Sequence, residues 1–207
     1  MKILHLISSP RGAASMSIKL GNASIEKLET ENPGSSVTVR NLAETTFPHL
    51  EEVHLNSFFT PAEKHTPELT EAIKHSDEAI AELKDADVIV IGVPMYNFSI
   101  HSTLKAWIDH IARAGKTFNY TEKGPAGLIN GKKVYLAISS GGVYSEGPMK
   151  QNDFTESYLR SVLGFLGMTD ITVFRVGGLS MPGLKENALN KAMENIENEF
   201  AGLNKAA

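Results

Sequence analysis

The chain has 207 residues, 42% of them hydrophobic and 21% charged, with a net charge of -4 and no cysteine. That length and mix suit one domain over residues 1–207 with a full apolar core. Mild acidity and the lack of a basic block argue against a nucleic-acid surface, and the missing cysteines exclude disulfides, thiolate nucleophiles and Cys-based zinc sites.

The N-terminus enters an apolar run directly, without a signal-peptide pattern. No apolar run nears the ~20 residues that span a bilayer. A cytoplasmic protein that does not meet the membrane is expected.

Residues 3–7 are an apolar run of strand length. Residues 8–17 form a turn rich in Gly, Pro and Ser, and Ile18, Gly21, Ile25 and Leu28 then recur at helical spacing. The pattern is strand, loop, helix. A helix N-terminus has free N–H groups and a partial positive charge, so it attracts an anion. Ser9, Ser15 and Ser17 add hydroxyls there and Arg11 adds a full charge. Residues 32–36 stop the helix, and Val37 to Arg40 alternate as a second strand.

Residues 42–65 show no sustained period and are expected to be a long connection. Thr66-Pro67-Glu68 supplies a cap, a first-turn proline and an acid, and opens a helix with Leu69, Ile73, Ile80 and Leu83 on its buried face. Residues 87–93 are apolar on both faces, as in a central parallel strand. Pro94 ends that strand, and a helix follows with Leu104, Trp107, Ile108 and Ile111 on one side. A loop through Phe118 and Tyr120 leads to a fourth strand at 133–138. A helix carrying Phe154, Tyr158, Val162 and Phe165 comes next, then a fifth strand at 171–176 and an amphipathic closing helix at 184–203.

This alternation predicts an α/β fold. A five-stranded parallel sheet fits, in the flavodoxin-like order 2-1-3-4-5 with helices on both faces. Ligands of such sheets bind beyond the carboxyl ends of the strands, at the switch point. Three polar loops should meet there. The first holds Ser9, Arg11, Ser15, Met16 and Ser17, with donors for a phosphate. The second is Pro94-Met95-Tyr96-Asn97-Phe98, with apolar contact area and one two-way amide. The third runs from Ser139 and Ser140 through Gly141 and Gly142 to Tyr144, where backbone can approach a flat ring edge. Together they suit flavin mononucleotide (FMN).

The same residues resemble the FMN-dependent NADH-azoreductases, a family of flavodoxin-like quinone and azo-dye reductases. The similarity continues through Ala112-Arg113-Ala114-Gly115, Thr117-Phe118, Gly124-Pro125 and Leu163-Gly164-Phe165, and covers essentially the whole length. The resemblance implies a homodimer with one non-covalent FMN per subunit, active sites at the dimer interface and ping-pong kinetics. NADH is the implied donor, and quinones and azo compounds the acceptors. The flavin N5 then carries the chemistry, and no side chain is assigned as catalytic acid or base. Phe59, Phe118, Tyr120 and Val162 are the expected substrate contacts. Val162 and Tyr144 stand where some relatives carry phenylalanine and histidine. The other reading of the same fold is a flavodoxin-type single-electron carrier.

Three further patterns carry no chemistry. Ser102-Thr103-Leu104-Lys105 matches S-x-x-K without its partner motifs. Residues 127–132 fall one short of a P-loop and precede a strand. The histidines, among them His49, His54, His65, His75, His101 and His110, lack metal-site spacing and are expected to be solvated or partly packed.

Overall fold

The computed structural model of the chain describes residues 1–45 and 47–206. Five strands form one parallel sheet: β1 (Lys2–Ile7), β2 (Ser36–Asn41), β3 (Val88–Pro94), β6 (Lys133–Ser139) and β7 (Asp170–Val176). Their order is β2-β1-β3-β6-β7. This is the expected 2-1-3-4-5 order, with two short strands outside the sheet taking the intervening labels.

The period of two along each strand sorts side chains to the two faces. Val88 and Val90 of β3, with Tyr135 and Ala137 of β6, join one core layer. Helices α1 (Met16–Glu31) and α7 (Lys185–Ala206) close it, through Leu20, Ile25, Leu28, Ala192, Ile196 and Phe200. Ile89, Ile91 and Val93 face the other layer with Leu136 and Ile138. That side is covered by α4 (Lys74–Asp85), α5 (Ser102–Ile111) and α6 (Phe154–Phe165). β3 is buried along its whole length, which explains its unbroken apolar run.

Three segments differ from expectation. The connection at 42–65 contains a helix, α2 (Glu52–Phe59), and a short 3-10 turn at Ala62–Lys64. Its period is hidden because α2 buries polar residues, His54 and Ser57. Glu51 and His54 cap its start reciprocally. The helix expected from Thr66 breaks at Ile73 into α3 (Pro67–Ala72) and α4. Thr66 caps it as expected, its hydroxyl accepting from the Leu69 N–H at 3.3 Å.

The loop after α5 is an antiparallel hairpin, β4 (Phe118–Thr121) with β5 (Gly124–Gly127). Its β5 strand presses on the end of α6. A Cβ on Gly127 would lie 2.2 Å from the Gly167 nitrogen, so only glycine permits that crossing.

Candidate active site

The loops that follow β1, β3 and β6 meet at one end of the sheet, as strand order requires. They enclose a cavity of about 680 Å³. Ser9, Arg11, Ser15 and Met16 line it from the first loop and the start of α1. Pro94, Met95 and Tyr96 line it from the second loop, and Ser139, Ser140 and Gly141 from the third.

The first loop is built to keep donors open. Ser15 caps α1, its hydroxyl accepting weakly from the Ile18 N–H at 3.4 Å. Ser17 is fully buried and does not line the cavity. Its hydroxyl lies 3.0 Å from that of Ser15 and orients it from behind. Ser9 is 2% exposed, and among the described residues its hydroxyl has one hydrogen bond, a long one accepted from the Arg11 N–H at 3.4 Å. Its hydroxyl is therefore free to serve a ligand. Ser8 instead donates to the Gly92 carbonyl at 2.8 Å and ties the loop to β3.

The second loop extends the sheet ladder by one bond, from the Met95 N–H to the Ser139 carbonyl at 2.8 Å. It then turns tightly. Tyr96 and Ser99 exchange backbone hydrogen bonds of 2.9 and 3.0 Å around Asn97 and Phe98, whose φ angles are +48° and +71°. Two positive φ values in a row mark a type I′ turn, where asparagine fits the first place and glycine normally takes the second. A phenylalanine there stores local strain of about 1 kcal/mol. The Phe154 N–H holds it by donating to the Phe98 carbonyl at 3.1 Å. The Phe98 ring is 44% exposed and meets Tyr144 edge-on at 6.1 Å.

In the third loop, a Cβ on Gly141 would stand 2.8 Å from the Ser180 hydroxyl. The backbone there closes tightly on the segment that follows β7. Three bonds stitch the two together: Gly178 N–H to Gly142 carbonyl at 3.0 Å, Ser180 N–H to Gly141 carbonyl at 2.9 Å, and Leu179 N–H to Ser140 carbonyl at 3.3 Å. Leu179, Ser180 and Lys185 thereby join the cavity wall, and Lys19 joins it from α1. Sequence reasoning missed these four. The β7-to-α7 segment shows no motif of its own, and only sheet order brings it beside β6.

Of the remaining expected residues, Asn97 lines a second cavity of about 650 Å³ that adjoins the first at Tyr96. Its other walls include His101, Lys105 and Tyr158. Burial lowers the His101 pKa and raises that of Tyr158. Neither cavity is lined by Phe98, Gly142, Tyr144, Phe59, Phe118, Tyr120 or Val162. Phe118 lies in the core, its ring 4.5 Å from that of Phe165 and 5.5 Å from that of Tyr120. Val162 packs against the same layer one turn beyond Tyr158. Phe59 and Tyr120 are 79% and 76% exposed.

The cavity offers buried hydroxyls, cations, an apolar wall at Met95 and Tyr96, and, among the described residues, no carboxylate. That donor set fits a flat ring system carrying a phosphate. Among the described residues no cluster of acids and histidines could hold a metal ion. No described helix is long and apolar enough to cross a membrane.

Comparison with known proteins agrees with this geometry. A family described as having the flavodoxin-like fold matches residues 1–200. The FMN-dependent NADH:quinone oxidoreductase of Herminiimonas arsenicoxydans is 50% identical over 197 residues, 95% of each chain. FMN-dependent NADH:quinone oxidoreductase 1 of Rhizobium etli is 49% identical over 196 residues, 94% of this chain and 96% of its own. Among solved structures, an azoreductase from Bacillus anthracis superposes with a TM-score of 0.90 at 30% identity, covering 97% of this chain and 98% of its own. The chain belongs to this flavodoxin-like family.

Proposed function

We propose that the chain is an FMN-dependent NADH:quinone oxidoreductase that also reduces azo compounds. The observation that carries this is the cavity at the ends of β1, β3 and β6, lined by no carboxylate among the described residues, with its Ser9 hydroxyl and its wall of Met95 and Tyr96. Relatives at 44–50% identity bear the quinone oxidoreductase name, and a Bacillus anthracis FMN-dependent NADH-azoreductase solved with FMN superposes with a TM-score of 0.88. Bound there, FMN supplies two-electron transfer from NADH to the acceptor.

Each loop then has a task. Ser9 and Ser15 donate to the phosphate, with Ser17 setting the Ser15 hydroxyl. Met95 and Tyr96 flank the ring. Asn97 presents its amide at the ring edge, held by the strained turn. Gly141, with Gly142 behind it, would let backbone approach one edge of the ring and offer donors there. Tyr144 and Phe98 form the outer rim.

Among the described residues no carboxylate or histidine lines this cavity, and His101 lines the adjoining one. Exposed Phe59, Tyr120, Phe98 and Phe154 support a homodimer in which Tyr120, seated on Phe118, covers the partner's site. Val162 lies on the face that would approach it. Ping-pong kinetics follow if donor and acceptor occupy the same space in turn. Cytoplasmic location is part of this proposal.

The test is a visible spectrum of the purified protein, followed by NADH oxidation with and without menadione. A bound flavin and menadione-dependent NADH oxidation are expected. A colourless protein that FMN does not reconstitute overturns the proposal. A flavoprotein that menadione and NADH do not turn over points to the electron carrier instead.

A further inference from the structure

We infer that Lys185, with Lys19 and Arg11, clasps the cofactor phosphate from both ends of the chain and so ties the start of the C-terminal helix to cofactor occupancy. The inference rests on the flavin reading above and deepens it.

Arg11 belongs to the loop after β1, Lys19 to the first turns of α1, and Lys185 is the first residue of α7. All three line the one cavity. None has an ion-pair partner among the described residues, whereas Arg40, Arg113 and Arg175 are paired with Glu82, Asp77 and Asp153. Among the described residues no acid lines the cavity to offset them. Three like charges around one volume, in a chain of net charge -4, repel one another unless an anion sits between them. A phosphate monoester carries about -1.5 to -2 at pH 7 and matches that deficit. The α1 N-terminus, with Ser15 as its cap, faces the same volume.

The start of α7 is packed less deeply than the rest of it: Leu184 lies against Gly178, and Ala188 and Leu189 are only partly buried against the core. Its deeper turns are anchored by Ala192, Ile196 and Phe200, each 1% exposed. Met181 and Leu184, just before it, are 43% and 45% exposed. The backbone bonds at Gly178, Leu179 and Ser180 fix the segment to the third loop, but none reaches Lys185. An anion held by Lys185 would add a polar anchor there. Charge-assisted contacts to phosphate are the stronger kind of hydrogen bond, and at this exposure they weaken with salt.

The test compares FMN with riboflavin, which lacks the phosphate, by titrating the full chain after flavin removal. Lys185→Gln should weaken FMN about tenfold while leaving riboflavin within about twofold, and Lys185→Arg should restore most of the loss. The wild-type dissociation constant for FMN should rise with ionic strength more steeply than that of Lys185→Gln. Hydrogen exchange should show the first turn of α7 protected by FMN and not by riboflavin. Equal losses for both flavins, or no change in either, overturn the clasp while leaving the flavin reading intact. A wild-type chain that binds neither flavin overturns both.

Discussion

Two regions gather polar side chains in loops, and they use them in opposite ways. At the cofactor cavity the hydroxyl of Ser9 and the cations of Arg11, Lys19 and Lys185 are left open. Beneath the 42–65 arm, His54, His75 and His110 meet Phe47, Phe58 and Arg113, and the polar groups mostly serve the protein itself. The His110 Nε2–H donates to the Pro48 carbonyl at 3.1 Å, and the His54 and His110 rings lie 4.8 Å apart. Phe47 packs on both His75 and His110. Arg113 donates to Ser76 and Asp77 at 2.9 and 2.7 Å and lies over the Phe58 ring. Polar residues in a cluster become a ligand site when their donors face open volume. Where they bond inward, they fasten one segment to another.

Acid should break this contrast most strongly, by attacking the inward cluster first. Burial pulls His110 down to about 4, with His54 and His75 adding like-charge repulsion and the Pro48 carbonyl and Asp109 opposing it. Burial alone pulls His5 of β1 to about 4, where its Nε2 faces Gly21 without a hydrogen bond. Both are neutral when native, while the unfolded chain takes up protons below about pH 6.5. Stability is therefore full above that pH and falls as pH drops toward about 4, by up to about 3 kcal/mol for each histidine. Urea unfolding at pH 8, 6 and 5 should follow that slope. Gln in place of either histidine should flatten it.

The next largest effect lies in the cavity. Gly141→Val should cost at least about tenfold in FMN affinity, because its Cβ and methyls enter the space of Ser180 and of the ring. The urea midpoint of the flavin-free protein should shift much less. A comparable loss of both would mean that Gly141 serves folding rather than the cavity.

The serines should follow at about 1 kcal/mol per hydrogen bond. Ser9→Ala and Ser15→Ala should each weaken FMN by roughly fivefold, and Ser17→Ala by less, because Ser17 acts through Ser15. Flavin fluorescence titration of the three variants checks the order, and an effect of Ser17→Ala above that of Ser15→Ala would reverse their roles.

Val162→Phe is expected to do least. It should slow a bulky azo dye by about two- to threefold and leave menadione nearly unchanged, since bulk on one wall discriminates size weakly. Equal rates for both acceptors, in wild type and variant, would mean that this face of α6 reaches no site.

Much of this was legible in the chain because it depends on local pattern. Alternation of apolar strands and amphipathic helices identifies the α/β class. Five such strands fit the flavodoxin-like order, and the place of the crevice at the switch point follows from that order. Loops carrying Ser9, Ser15, Met95, Tyr96, Ser140 and Gly141 stand at strand ends, so their convergence follows from topology alone. Helix α2 was not legible because His54 and Ser57 take the buried places where apolar residues would mark a period. The β4–β5 hairpin was hidden by the shortness of its strands and the glycines that let it press on α6.

Sequence by itself determined which side chains were available for a phosphate and a flat ring, and roughly where along the chain they lay. Only the tertiary structure decided how they act. It set Ser17 behind Ser15, put Phe98 at a positive φ, buried Phe118, and brought Lys185 to a cavity begun by Ser9. The reason is physical. A side chain's type and period are fixed by covalent sequence and local sterics, whereas whether its donor faces a cavity or a neighbour depends on contacts between residues far apart in the chain.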